Sequence, residues 1–190
     1  IQTTNQISGG IVGKLVEGII DSCINYGGIF TASYTGGISG QINNSSDQLS
    51  IITNCINYGN VASSGSYAGG IIGGADGRLG EIINNINYGS ITASLGSAGG
   101  ILGYSTNYIS LKISNNINFN TVNSPLYEGG IVGSFASGTS FSNYNYWLAG
   151  CCDNEDGYGY KNVNTVWGNN SNFSEIEETL TVSSLTDVNG

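Results

Sequence analysis

The sequence is organised around a short glycine motif that recurs along most of its length. Gly-Gly-Ile-x-Gly occurs five times, at spacings of 27, 33, 30 and 30 residues. The copies begin at Gly9, Gly36, Gly69, Gly99 and Gly129. A near-constant period of this length indicates a repeat architecture, because one unit cannot bury its apolar side alone and neighbouring units must stack. We therefore expect the chain to fold as a stack of repeated units.

A second motif lies in the same phase between the glycine motifs. It centres on an Asn followed by an aromatic residue and covers residues 23–27, 55–59, 85–89, 116–120 and, in degenerate form, 143–147. Runs this short, separated by Gly, Asn and Ser, are typical of strands. The two motifs predict an all-β, single-domain β-solenoid (β-helix) over residues 1–150. It has five coils of about 30 residues, with three short strands in each coil.

In-register stacking turns each repeated position into a column. Three internal apolar columns are predicted: Ile11, Ile38, Ile71, Ile101 and Ile131; Ile24, Ile56, Ile86, Ile117 and Tyr144; and Ile29, Val61, Ile91 and Val122. An amide ladder is predicted from Asn25, Asn57, Asn87, Asn118 and Asn145, and an aromatic column from Tyr26, Tyr58, Tyr88, Phe119 and Tyr146. Stacked amides satisfy one another along the axis. The paired glycines are expected to supply positive φ at corners and close approach between coils.

Charge divides the chain into two parts. Of the net charge of −9, residues 151–190 contribute −6, from seven acids and Lys161. We expect this region to be an acidic cap on the fifth coil or a subunit-linking tail that donates a strand to the next copy, because an open solenoid exposes unpaired edges. Since the chain starts at Ile1 without Met, we also expect a processed or excised segment.

Composition excludes several kinds of function. The chain has no His, so a Ser-His-Asp triad and a His-ligated metal are both excluded. Its four basic residues are scattered, which argues against nucleic-acid binding. No apolar run approaches the roughly 18 residues of a transmembrane segment. Asp21, Asp76, Glu81 and Glu128 occupy non-equivalent repeat positions, so we expect neither an enzyme nor a cofactor.

The four cysteines fall into two pairs. Cys23 and Cys55 are repeat-equivalent, so their strands should be neighbours, and they form either a disulfide or a buried pair of thiols. Cys151 and Cys152 are adjacent in sequence and could bridge locally, within the tail or to another subunit. An even number of cysteines without metal-ligand spacing favours an extracellular location.

Two further surface features are candidates for ligands or modification. Asp153, Glu155 and Asp156 form a weak calcium candidate beside Gly157, but the spacing of an EF-hand is missing and a solvated acidic turn is preferred. N-glycosylation sequons are present at Asn43, Asn44, Asn169 and Asn172.

The repeats resemble a known family of surface modules. The run from Asn54 to Val61 (NCINYGNV), followed by Gly69 to Gly73 (GGIIG), is similar to the GLUG-type β-solenoid repeats of bacterial surface adhesins and immunoglobulin-A-cleaving proteases. The resemblance covers about residues 9–150. It implies a stalk, a spacer or an adhesive surface, since proteolysis in that family belongs to separate domains. Asn replaces Cys in repeats three to five, so no metal site carries over.

We therefore expect an extracellular structural protein at the cell surface. It would build a filament, fibril or stalk by stacking head-to-tail with itself. The alternative is an adhesin-type module that binds a host protein or glycan through exposed Tyr, Asn and acidic loops. Tyr34, Tyr67 and Tyr127, which precede the glycine motif in their repeats, are its candidate contact residues.

Overall fold

The chain folds into parallel β-sheets that run the length of a stack. The computed structural model describes residues 6–44, 47–106, 108–136, 138–153, 156–161, 165–167 and 170–173. All helix or strand structure in these ranges is β-strand, arranged in five sheets. Each strand lies beside the equivalent strand of the next repeat in parallel register. The predicted all-β solenoid of about five turns is confirmed.

The strands are numbered along the chain and grouped by sheet. Sheet 1 contains β1 (Ile7–Gly9), β6 (Tyr34–Gly36), β11 (Tyr67–Gly69), β16 (Ser97–Gly99) and β21 (Tyr127–Gly129). Sheet 2 contains β2 (Val12–Leu15), β7 (Ser39–Asn44), β12 (Ile72–Gly77), β17 (Leu102–Thr106), β22 (Val132–Phe135) and β25 (Tyr158–Lys161). Sheet 3 contains β3 (Gly18–Asp21), β8 (Ser50–Thr53), β13 (Leu79–Ile83), β18 (Tyr108–Ser114), β23 (Gly138–Asn143) and β26 (Thr165–Trp167). Sheet 4 contains β4 (Ile24–Asn25), β9 (Ile56–Asn57), β14 (Ile86–Asn87), β19 (Ile117–Asn118), β24 (Tyr146–Leu148) and β27 (Ser171–Phe173). Sheet 5 contains β5 (Ile29–Thr31), β10 (Val61–Ser63), β15 (Ile91–Ala93) and β20 (Val122–Asn123).

A complete coil has five strands where the sequence predicted three. The β-prone run 82–86 (IINNI) predicts one strand, but a left-handed residue at Asn84 bends the chain and separates β13 from β14. The segment before each glycine pair forms a strand of its own, as β11 does in the third coil. Strands of two or three residues carry too few side chains to show a period of two, so the sequence pattern missed them.

The core is built from aligned apolar columns. Ile38, Ile71, Ile101 and Ile131, one from each glycine motif after the first, have no exposed surface. Backbone hydrogen bonds of 3.0 Å join Ile38 N to Ile71 O and Ile71 N to Ile101 O. The column Ile29, Val61, Ile91 and Val122 is in register and at most 3% exposed. Stacking thus buries the same face of every coil.

The fifth repeat differs from the predicted alignment by two residues. Ile24, Ile56, Ile86 and Ile117 are in register, but the next residue in their column is Tyr146, not Tyr144. Trp147 therefore lies beside Asn118, and Asn145 and Tyr146 leave the amide and aromatic columns predicted for them. Residues 143–146 read Asn-Tyr-Asn-Tyr, so the sequence matched two alignments. The pairing of Asn143 with Ser114 selects one of them.

Corners use Asn, and not the glycine pairs, for left-handed backbone. At one equivalent corner, five successive coils have a residue with φ between 53° and 59°: Ser22, Asn54, Asn84, Asn115 and Tyr144. Glu17, at φ 57°, is a further left-handed residue of the first coil. Asn tolerates this conformation better than other residues with a side chain. The positive-φ glycines of the described chain are Gly18, Gly77 and Gly150, none of which belongs to a glycine pair. The expectation that the pairs supply positive φ was wrong; they serve close packing.

Part of the acidic tail continues the solenoid. Strands β25, β26 and β27 pair with β22, β23 and β24, so the chain adds an incomplete sixth coil. Val122 N also donates to Cys151 O at 2.7 Å where sheet 5 would continue. The strand-like acidic run 175–188, predicted to cap the stack or link subunits, lies outside the described residues.

Candidate functional site: amide ladders, thiols and the first-coil edge

A buried ladder of asparagine amides runs through four coils. Each Nδ2 donates to the Oδ1 of the next Asn at 2.8 Å, from Asn25 to Asn57 to Asn87 to Asn118. Every Asn also brackets the residue two positions later: Asn57 Nδ2 donates to Gly59 O at 2.8 Å, and Gly59 N donates to Asn57 Oδ1 at 3.2 Å. The ladder therefore gives these buried amides hydrogen-bond partners, which is the condition for burying them.

The glycine pairs face this ladder across the interior, which explains why the two motifs share one phase. A Cβ on Gly37 would lie 2.3 Å from the Cγ of Asn57, and a Cβ on Gly70 would lie 2.4 Å from the Cγ of Asn87. The coil therefore closes around each Asn only where Cβ is missing. The fifth coil keeps the arrangement with Trp147 in place of Asn.

A second amide ladder, which the sequence analysis missed, starts where the cysteines end. Asn85 Nδ2 donates to Asn116 Oδ1 at 3.0 Å, Asn116 to Asn145 at 2.9 Å and Asn145 to Asn170 at 2.8 Å. Cys55 occupies the preceding position, and its backbone N donates to Asn85 Oδ1 at 3.0 Å. The signal was present in the sequence, because Asn-x-Asn places two amides on one face of a strand.

Replacing Cys55 by Asn should extend this ladder by one coil. Asn85 Nδ2 donates to Ile52 O at 3.0 Å, and the sulfur of Cys55 already lies 3.9 Å from the equivalent oxygen, Ile20 O. An amide at position 55 would donate to Ile20 O and to Asn85 Oδ1. We expect Cys55→Asn to raise the free energy of unfolding by about 1 kcal/mol, measured by urea denaturation. Cys55→Ala is the control and should lower it; equal stability of the two variants would contradict the ladder argument.

The aromatic column forms a regular stack on the outside. Tyr26, Tyr58, Tyr88 and Phe119 have ring centroids 4.9 to 5.1 Å apart and interplanar angles of 2° to 5°. This spacing follows the distance between strands. Burial, and then the neighbouring Tyr58, raises the pKa of Tyr88.

The second tyrosine group is only partly as predicted. The rings of Tyr34 and Tyr67 are 5.0 Å apart, and Tyr104 of the neighbouring sheet stacks on Tyr67 at 4.3 Å. Tyr127 is separated from them because Ser97 occupies the intervening strand, and its ring contacts Tyr160 at 5.2 Å. Burial raises the pKa of Tyr34 and of Tyr67.

The cysteines lie in the two expected pairs, and all four are free thiols, so the structure has the thiol alternative and not the candidate disulfides. Cys55 is fully buried, and burial raises its pKa to about 11. Because the unfolded thiol ionises at lower pH, the stability that Cys55 contributes is complete below the ordinary thiol pKa and is lost as pH rises towards 11. Cys151 Sγ donates to Cys152 Sγ at 3.7 Å, and this contact, together with burial, raises the pKa of Cys151.

The acidic turn does not gather metal ligands in the described part of the chain. Its backbone is held by Glu128, whose carboxylate accepts hydrogen bonds from Asp153 N at 2.6 Å and Ser124 N at 3.0 Å. Asp153 and Asp156 are exposed, and Glu155 lies outside the described residues. Within the described ranges there is no group of three acidic, His or Cys side chains that could hold a metal.

The four sequons differ in what the fold allows. Asn44 is 1% exposed, and its Nδ2 donates to Gln48 O and to Leu79 O at 2.7 Å each. A glycan on Asn44 would replace one of the two Nδ2 hydrogens, so the amide could no longer donate to both carbonyls. Asn43 is partly exposed on β7, whereas Asn169 lies outside the described residues, as does the side chain of Asn172.

The first coil presents an uncovered cross-section of the core. Ile11 is 44% exposed although its column partners Ile38 and Ile71 have no exposed surface, and Ile24 is 46% exposed against 7% for Ile86. Ile11, Ile38 and Ile71 are the same residue type at the same position, so the difference reflects the cover that a preceding coil gives. In the described residues this edge carries apolar side chains that nothing covers.

The geometry of the described residues is that of a repeat scaffold. The described residues contain no helix long and apolar enough to cross a membrane. Comparisons of the chain with protein-family models, with curated proteins and with solved structures found no match in any of the three.

Proposed function

We propose that the chain is an extracellular structural β-solenoid, a building block of a surface filament, fibril or stalk that continues by end-to-end stacking. The observation that carries the proposal is the uncovered apolar cross-section of the first coil. Ile11 occupies a column that has no exposed surface wherever a coil precedes it, and Ile24 is more exposed than Ile86 and Ile117 of its own column. A further coil, from a second copy or from a longer chain, would bury them and pair the open edges of β1 to β5.

The interior supports a scaffold role in a second way. The first amide ladder is open at Asn25, which donates to Asn57 but receives no Asn amide from a preceding coil in the described structure. A preceding coil with the same motif would continue both the amide and the tyrosine columns. Heterologous contacts of this kind extend without closing, so they generate fibres. The extracellular and cell-surface location belongs to the same proposal.

The test is self-association of edge variants. We expect the wild-type protein to form end-to-end assemblies that grow with concentration, seen by sedimentation velocity and negative-stain electron microscopy. The double variant Ile11→Lys/Ile24→Lys places two charges on the edge and should weaken association at least about tenfold.

The matched control carries the same two charges away from the edge. Leu95 and Leu126 are 71% and 58% exposed in later coils, so Leu95→Lys/Leu126→Lys should assemble like the wild type. A wild-type protein that stays monomeric at every concentration would contradict the filament. Equal assembly of the edge variant would show that the first coil is not the contact.

A second candidate function is an adhesin-type module that binds a host protein or glycan. The observation that favours it is the partly exposed cluster of Tyr34, Tyr67 and Tyr104, since tyrosines are enriched in recognition surfaces. A host-surface or glycan binding signal that disappears when Tyr34 and Tyr67 are replaced by Ser would support it. Unchanged binding would remove this cluster from consideration.

A further inference from the structure

An open groove of about 640 Å³ lies on the outer face of sheet 3. Glu81, Lys112 and Phe141 form its centre, side by side on β13, β18 and β23. With strands about 4.8 Å apart, this row is roughly 10 Å long. Leu79 and Tyr144 lie at its sides. The volume is in the range of small-molecule sites.

The groove departs from the repeat. Ladder positions carry the same residue in successive coils, whereas the central row changes from a carboxylate to an ammonium to an aromatic ring. Phe141 and Tyr144 are each 46% exposed, and Leu49, which also lines the groove, is 38% exposed. Exposed aromatic residues grouped around a concavity mark binding surfaces more often than structural faces.

Tyr144, in the wall of the groove, is less favourable for local stability than an Asn would be. It occupies the left-handed corner at φ 53°, where three preceding coils have Asn. Asn84 Nδ2 donates to Asn54 Oδ1 at 3.3 Å, so an Asn at position 144 could serve Asn115 in the same way. With Tyr instead, Asn115 Oδ1 is buried without a partner in the groove wall. A bulky residue at positive φ beside an unpaired acceptor indicates a functional role for that residue.

We propose that this groove binds a neutral oligosaccharide. The C–H faces of pyranose rings pack on aromatic rings such as those of Phe141 and Tyr144, and sugar hydroxyls pair with Glu81 and Lys112. Glu81 and Lys112 have opposite charges, so the centre has no net charge to select an ionic ligand.

The arrangement of sheet 3 disfavours a peptide ligand. Each of β13, β18 and β23 is paired on both sides, so none offers a free edge for strand addition. An amphipathic helix needs a continuous apolar groove, and here the centre carries Glu81 and Lys112. The inference rests on the groove alone and holds whether or not coils stack end to end.

Binding is tested by titrating ¹⁵N-labelled protein with three neutral trisaccharides: cellotriose, triacetylchitotriose and mannotriose. We expect at least one trisaccharide to shift the amide resonances of β13, β18 and β23 at millimolar concentration. Phe141→Ala should weaken binding at least about tenfold. Phe30→Ala is the matched control, because Phe30 is 45% exposed on sheet 5, and it should bind like the wild type.

Tyr144→Asn separates binding from folding. It restores the residue type preferred at this corner, so we expect a higher melting temperature together with weaker sugar binding. The proposal is overturned if no trisaccharide shifts the groove resonances, or if Phe141→Ala and Tyr144→Asn bind like the wild type. It is also overturned if these resonances shift with protein concentration alone, since a second copy would then occupy the groove.

Discussion

Replacing Gly70 by Ala is expected to destroy cooperative folding. The added Cβ would lie 2.1 Å from Gly100 O of the next coil and 2.4 Å from Cγ of Asn87. Neither neighbour can move away, because Gly100 O belongs to the backbone of a paired coil and the Asn87 side chain is held in the amide ladder. We expect the free energy of unfolding to fall by more than about 4 kcal/mol, which is at the upper end of the effects of single substitutions. Circular dichroism and urea denaturation would measure it.

Gly28 provides the matched control for this substitution. Its Cβ would meet Asn60 O at 3.5 Å, an ordinary contact, and its φ is outside the left-handed range. Gly28→Ala should therefore change stability by less than about 1 kcal/mol and could raise it by restricting the unfolded chain. If Gly70→Ala were as stable as Gly28→Ala, the close packing of glycine against the ladder would not be what fixes the glycine motif.

Replacing Asn87 by Ala is the second large effect. Four hydrogen bonds disappear: those with Asn57 and Asn118 along the ladder, and the two that join Asn87 to Gly89. The neighbouring amides stay buried with unpaired atoms, and each such atom costs about 1–3 kcal/mol. We expect a destabilisation of about 4 kcal/mol, measured by urea denaturation followed by circular dichroism.

The control for Asn87 is an asparagine outside the ladder. Asn123 is exposed on β20, so Asn123→Ala should change stability by no more than about 0.5 kcal/mol. If Asn87→Ala lowered the free energy of unfolding by less than about 1.5 kcal/mol, the ladder would serve to align neighbouring coils and would contribute little stability. A substitution in the middle of the stack also cuts contact between its two halves, so its effect should exceed that of the same change at Asn25.

Much of the architecture could be predicted because stacking copies the sequence period directly into space. The spacing of the glycine motif fixed the coil length, and Ile38, Ile71, Ile101 and Ile131 then had to form one buried column. The phase shared by the glycine pairs and the asparagines also reflected a real contact, seen at Gly70 and Asn87.

The missed features depend on geometry that a one-dimensional pattern does not carry. The left-handed corner at Asn84 divides the β-prone run 82–86 between β13 and β14, and only the backbone dihedral angles reveal this corner. The second amide ladder starts where Cys55 gives way to Asn85, because an amide can reach the carbonyl of the preceding coil. The groove at Phe141 arises from residues that do not repeat, so periodicity could not indicate it.

The sequence by itself therefore determined the solenoid, the length of its coils and which faces stack, because each of these follows from a repeated residue at a repeated spacing. Tertiary structure decided the alignment of the fifth repeat and the continuation of the tail into a sixth coil. It also decided which apolar residues at the edge of the stack are covered. These depend on which backbone groups find partners, as in the pairing of Asn143 with Ser114. Burial of Ile24 was decided in the same way, since the same residue is covered in one coil and exposed in another.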